Sequence, residues 1–176
     1  MRPPSPYDFM PPVPSFQLVS DDVADGKKMA DEFVYDQFGM TGKNLSPHLR
    51  WQGYPAATRG FGVTCFDPDA PSTSGFWHWM LYDLPVQTTE LATGFGALGG
   101  SALPAGARHA RNDYGTPAYG GPAPTKGEEP HRYLFAVHAL DCTRLDVDED
   151  ATPAVVGHTM TSRTLARALV VPVYGR

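Results

Sequence analysis

Residues 67 to 71, Asp-Pro-Asp-Ala-Pro, constrain this chain more than any other stretch. Each proline fixes φ at about −65° and lacks an N–H, so neither a helix nor a paired strand continues through the segment. A strand ending at Phe66 must break there into a stiff loop, which holds the carboxylates of Asp67 and Asp69 in set directions. Beyond a flexible polar bridge from Ser72 to Gly75, the run Phe76-Trp77-His78-Trp79-Met80-Leu81-Tyr82 is aromatic and apolar without a helical period. That composition predicts a buried strand. A histidine inside such a strand needs a hydrogen-bond partner, and a loop doubling back at Ser74-Gly75 would offer it Asp67 or Asp69. The sharp turn also leads us to expect a cis bond in this loop, at Asp67-Pro68 first. Taken alone, the same residues fit an Asx turn beside an ordinary core histidine.

A second segment repeats the arrangement. Gly120-Gly121-Pro122-Ala123-Pro124 passes through Thr125 to Glu129 into Pro130-His131-Arg132-Tyr133-Leu134-Phe135-Ala136-Val137. This is again a rigid Pro/Gly loop feeding a strand that opens on histidine and an aromatic. Alternation along Pro130 to Leu140 places His131, Tyr133, Phe135, Val137 and Ala139 on one face, and Arg132, Leu134, Ala136, His138 and Leu140 on the other. DPDAP followed by FWHW, together with GGPAP followed by PHRY, resembles the two signature regions of the phosphatidylethanolamine-binding protein family, also called Raf kinase inhibitor-like proteins, in its bacterial branch. The resemblance runs from about residue 14 to 176 and takes in Ser46 to Pro55. It implies an antiparallel β-sandwich with a small anion-binding pocket formed by Asp67, His78, Gly121, Pro122, His131 and Tyr133, with Asp69 in support. Eukaryotic members carry a second histidine where this chain has Trp77 and differ at the C-terminus, so kinase inhibition does not transfer.

A single domain of 176 residues can bury roughly 70% of its extended surface, so one core suffices. Eighteen glycines and eighteen prolines beside 41% hydrophobic residues fit many short strands joined by turns, not disorder. The expected fold is therefore mainly β, an antiparallel β-sandwich with one or two short helices near the C-terminus, its domain spanning residues 15–176. A formal charge of −5 argues against generic nucleic-acid or anionic-membrane binding. No apolar run is long enough for stable membrane insertion. Cys65 and Cys142 lie in apolar stretches and are read as buried thiols; no Cys/His spacing suggests a metal, and neither metal nor cofactor is expected. The N-terminus, with prolines at 3, 4, 6, 11, 12 and 14, lacks the basic patch and apolar region of a signal peptide, so a cytoplasmic location is expected.

Along the chain, residues 1–14 read as a Pro-rich arm: either a disordered tail or an arm packing through Tyr7, Phe9 and Met10 onto a second copy. Ser15 to Ser20 alternates as a first strand, and Asp25-Gly26 suggests a hairpin turn. Lys28 to Thr41 reads as strand plus loop. His48 to Trp51 begins a strand, with His48 taken as a solvated loop histidine. Gly60 to Asp67 and Phe76 to Leu84 are central strands. Ala92 to Thr116 is a long loop expected to wrap the pocket rim. Thr152-Pro153 starts a short helix with Val155, Val156 and Met160 on its apolar stripe, followed by a closing strand.

Two histidines, the N–H groups of the Gly-Gly-Pro turn and a tyrosine hydroxyl would make a concavity for a phosphate or carboxylate. Asp67 would orient an imidazole and raise its pKa, or meet the ammonium of a zwitterionic head group. A small anionic or phosphate-bearing ligand is the expected partner. The alternatives are an acid–base enzyme using Asp67, His78 and His131 on a small metabolite, and a regulatory module that binds another protein. Against the enzyme stands the lack of a convincing nucleophile, since Ser72 and Ser74 flank no Gly-x-Ser-x-Gly turn.

Overall fold

A computed structural model describes residues 2–99 and 103–176. Its strands are β1 (Gln17–Val19), β2 (Leu49–Gln52), β3 (Gly60–Asp67), β4 (Phe76–Pro85), β5 (Glu90–Leu91), β6 (Arg108–His109), β7 (His131–Arg132), β8 (Leu134–Leu140), β9 (Thr164–Val170) and β10 (Val173–Tyr174). One α-helix, α1 (Pro153–Ser162), lies between β8 and β9. The main sheet has the order β6-β4-β3-β8-β9, and every pairing in it is antiparallel. A smaller antiparallel sheet, β1-β2-β5, packs against it, and β7 pairs separately with β10.

The sequence Gly-Phe-Gly-Val-Thr-Cys-Phe-Asp of β3 is buried at all its positions, as a strand covered on both faces must be. On one face Phe61, Val63 and Cys65 join Trp79, Leu81, Phe135 and Val137 against Leu49 and Trp51 of the smaller sheet. Trp51 meets Phe61 edge-on at 5.3 Å between ring centroids. On the other face Met80, Tyr82 and Leu140 pack against Val156 and Met160 of α1. Gly62 lets that helix approach, since a Cβ there would overlap the Met160 thioether. The helix begins as its sequence predicts: Thr152 is the N-cap, its hydroxyl accepts from the Val155 N–H, and Pro153 fills the first turn.

Several local expectations are corrected. The strand expected over Pro130 to Leu140 is two strands, because the chain changes partners at Tyr133. Its N–H donates to the Pro172 carbonyl while β7 pairs with β10 and β8 with β3 and β9. Asp25-Gly26 does not close a hairpin; Gly26 N–H bonds to the Val171 carbonyl and Asp25 accepts from the Val171 N–H, which ties this turn to the C-terminal segment. Residues 28 to 41 hold a bridge at Lys28 and a short 3-10 helix, Asp31–Phe33. His48 is buried: its Nδ1 accepts from the Asp21 N–H and its Nε2 meets Glu90 Oε1 at 2.9 Å. Cys65 is buried, but Cys142 only partly so.

The arm is ordered on its own chain instead of trailing as a tail. Ser5 caps a 3-10 helix, Pro6–Phe9, and the Tyr7 ring lies 4.1 Å from the Arg167 guanidinium carbon. Part of the expected long loop, residues 100–102, falls outside the described residues. Among the described residues, no helix is long and apolar enough to cross a membrane.

Candidate functional site

At one end of the main sheet, the loops after β3 and before β7 enclose a cavity of about 270 Å³. Asp67, at the end of β3, and His78, in β4, border it together with His131 of β7 and Tyr133 at the strand junction. Four of the expected residues thus converge on one space. The aromatic side chains of Phe76, Tyr114 and Phe38 complete its wall.

Asp67 is buried and its carboxylate is fully engaged. Oδ1 accepts from the N–H groups of Asp69 and Ala70, and Oδ2 sits 2.8 Å from His131 Nδ1. The two prolines shape this loop, with every described peptide bond trans, so the expected cis bond is not found. Nor does either Asp67 or Asp69 hold His78, as is expected of one of them. That ring bonds through Nδ1 to the Gly120 carbonyl at 2.7 Å, and because a carbonyl only accepts, Nδ1 carries the proton. His78 Nε2 is then an acceptor. Burial pushes the His78 pKa down, which outweighs the nearby Asp67 charge. For His131 the balance reverses: the hydrogen bond that its Nδ1–H donates to Asp67 raises its pKa from the ordinary histidine value. One histidine is thus kept neutral and the other is the favoured cation.

Asp69 and the Gly-Gly-Pro turn have different duties from those expected. Asp69 turns away from the cavity to make a two-pronged ion pair with Arg132, at 2.7 and 2.8 Å, and also accepts the Arg132 N–H. The turn does not offer free donors. Gly120 N–H bonds to the His78 carbonyl and Gly121 N–H to Asn44 Oδ1, while the Pro122 carbonyl accepts from Tyr35. Gly121 and Pro122 do not border the cavity; they dock its wall onto residues 33–35. Only glycine fits at 121, since a Cβ would overlap the Phe33 carbonyl oxygen.

Tyr133 supplies the least satisfied group. Its hydroxyl is buried and has no hydrogen-bond partner among the described residues. Burial holds the phenol far above its usual pKa, so it stays a neutral donor. Glu128 Oε2 lies 3.3 Å from His131 Nε2 but forms no aligned hydrogen bond, and it too is buried without one.

Sequence reasoning missed three contributors. Phe38 is 72% exposed at the mouth with φ of 55°, a conformation that costs a large side chain energy. It tilts against Tyr35 and Tyr114, which stack at 4.0 Å. Asn44 holds Gly121 from a positive φ of its own. Glu128 had only its place before Pro130-His131 as a signal. Tyr114, in the loop expected at the rim, stands edge-on to His78 at 5.6 Å between centroids and bonds the Gly121 carbonyl.

The sequence and the fold of this chain have known counterparts. Residues 19–175 match the family model described as Phosphatidylethanolamine-binding protein. The chain is 47% identical over 158 residues to the UPF0098 protein YbhB of Escherichia coli (strain K12), covering 90% of this chain and 99% of that relative. It is 40% identical to YbcL of the same organism over 91% of this chain and 87% of that one. The crystal structure of E. coli YbcL, described as a new member of the mammalian PEBP family, superposes with a TM-score of 0.89 over 92% of this chain and 99% of that one.

Proposed function

The chain belongs to the phosphatidylethanolamine-binding protein family, and from that premise we propose that the 270 Å³ cavity binds a small phosphate-bearing head group without turning it over. The observation that carries this reading is the convergence of Asp67, His78, His131 and Tyr133 on that one cavity, with the Tyr133 hydroxyl buried just behind its wall and without a hydrogen-bond partner among the described residues. Leaving such a hydroxyl unpaired costs about 1–3 kcal/mol, which a ligand oxygen would recover by drawing the phenol a short way into the cavity. His131 adds a cation held in place by Asp67, and His78 adds a neutral acceptor. A pocket that offers both donors and an acceptor suits a head group with both a phosphate oxygen and a hydroxyl or ammonium hydrogen. The volume admits such a head group and not a whole lipid.

An acid–base enzyme is the second reading, favoured by the Asp67–His131 pair beside the cavity. Asp67 accepts from two backbone N–H groups as well as from His131, which fits an orienting role better than proton transfer to a substrate.

Calorimetric titration of phosphoethanolamine into the wild type and Tyr133→Phe tests the proposal. Binding to the wild type, weakened by about ten- to a hundredfold in the variant, is expected from the loss of one hydrogen bond to a charged acceptor. Equal binding by the two proteins would remove the basis of the reading.

A further inference from the structure

A second cavity, of about 430 Å³, lies on the opposite face of β3 and β8, between the Pro-rich arm and α1. Tyr7 and Phe9 of the arm, Trp77, His138, Gly157 and Met160 are among the residues that line it. The head-group site does not use this space.

The chemistry of the cavity follows from His138, which is only 3% exposed. Its Nδ1 lies 3.2 Å from Thr164 Oγ1, and that hydroxyl donates its single proton to the Met160 carbonyl at 2.8 Å. The hydroxyl can therefore only accept from the ring, which fixes the proton on Nδ1. Nε2 is left as a bare lone pair. It has no partner among the described residues and is not sealed from solvent, so the space it meets is the cavity that His138 lines.

Charge narrows the occupant. Arg167 lies beneath the Tyr7 ring, its Nε buried without a hydrogen bond among the described residues, and burial together with this neighbour pushes the His138 pKa down to about 3. A cation would be repelled by the guanidinium, and an anion would bring its lone pairs against the lone pair of Nε2. A neutral molecule with an O–H or N–H satisfies that acceptor. The rings of Tyr7, Phe9 and Trp77 favour a flat partner, which can stack or meet them edge-on. Such a ligand would also explain why Phe9 is held at the rim while 76% exposed.

We propose that this second cavity binds a neutral, flat aromatic molecule with one N–H or O–H donor, of the indole or phenol class, its donor directed at His138 Nε2. The probes are indole and 1-methylindole, which differ in that donor, titrated into the full chain by calorimetry. Indole should bind at least about fivefold more tightly than 1-methylindole, the factor one hydrogen bond provides. His138→Leu should bring indole to the level of 1-methylindole. Gly157→Leu keeps the histidine but fills the space, because a Cβ at 157 already reaches within 3.6 Å of the Trp77 ring; it should abolish binding of both. Excess phosphoethanolamine should leave indole affinity unchanged. Equal affinity for the two probes, no binding of indole at millimolar concentration, or undiminished binding by Gly157→Leu would each overturn the proposal. If His138→Leu fails to fold by circular dichroism, the wild-type comparison and Gly157→Leu still decide.

Discussion

Asp67 and His131 are joined by a 2.8 Å hydrogen bond across 64 positions of sequence, from the end of β3 in the main sheet to the start of β7, which pairs outside it. Because the other carboxylate oxygen is pinned by two backbone N–H groups, the imidazole direction is set by the Asp-Pro-Asp-Ala-Pro loop.

The pair predicts the pH dependence of binding. His131 has a raised pKa, so its proton is retained into the neutral range and lost as pH rises through the raised value. Affinity for phosphoethanolamine should therefore fall as pH is raised from about 6 to about 8. His78, whose pKa is lowered, stays neutral across that window and adds nothing to the slope. Calorimetry at several pH values, with His131→Ala expected to be weak and flat, checks this.

The two aspartates should separate. In Asp67→Asn, one end of the amide must point N–H groups either at His131 or at the backbone donors of residues 69 and 70, so the ring loses its anchor. Affinity should drop by about three- to tenfold, on the scale of one ordinary hydrogen bond, because the ring is loosened and not removed. Were the site an acid–base enzyme, the same change would cost on the order of 10²–10⁴ in rate. Asp69→Asn loosens Arg132, outside the cavity, and should lower stability by about 1–3 kcal/mol with affinity nearly unchanged. Urea titration beside calorimetry distinguishes the two.

Gly121→Ala is expected to destabilise the fold by about 1–3 kcal/mol, through overlap with backbone that cannot move aside. The effect should appear in the urea midpoint. Gly157→Ala, where a Cβ meets only ordinary contacts inside α1, should be stabilising by about 0.4–1 kcal/mol.

Acid should unfold the protein through two neutral histidines, His138, which is buried, and His109, which is half-buried. Burial lowers His138 to about 3 and His109 to about 4. Below the ordinary histidine pKa of about 6.5 the unfolded chain gains protons that these folded rings refuse. Stability is therefore complete above that value and falls as pH drops toward the folded values, by up to about 1.4 kcal/mol per histidine per pH unit. Urea midpoints at pH 7, 5.5 and 4.5 should decline accordingly, and less steeply in His109→Gln.

What the sequence disclosed and what it hid follow one physical division. Runs such as Gly60 to Asp67 and Phe76 to Leu84 carry their strand character locally, in apolar residues bounded by proline and glycine, and Thr152-Pro153 carries its helix start in the same way. The convergence of Asp67, His78, His131 and Tyr133 was legible because rigid loops deliver them at strand ends. Hydrogen-bond partners were not legible, since they depend on which loops meet in space. Asp67 could reach either histidine, and only the packing of β7 beside the end of β3 gives it His131. The Gly120 and Gly121 N–H groups looked available until Asn44 and the His78 carbonyl, both distant in sequence, consumed them. Tyr7 packs on Arg167 for the same nonlocal reason.

The central claim is that a phosphate-bearing head group sits against His131 and Tyr133, and nitrogen NMR of the histidine side chains during titration with phosphoethanolamine tests it most directly. The account predicts that His131 shifts and that its pKa rises further on binding, while His78 keeps its proton on Nδ1 and stays neutral. A saturating titration in which the His131 resonances do not move would contradict it.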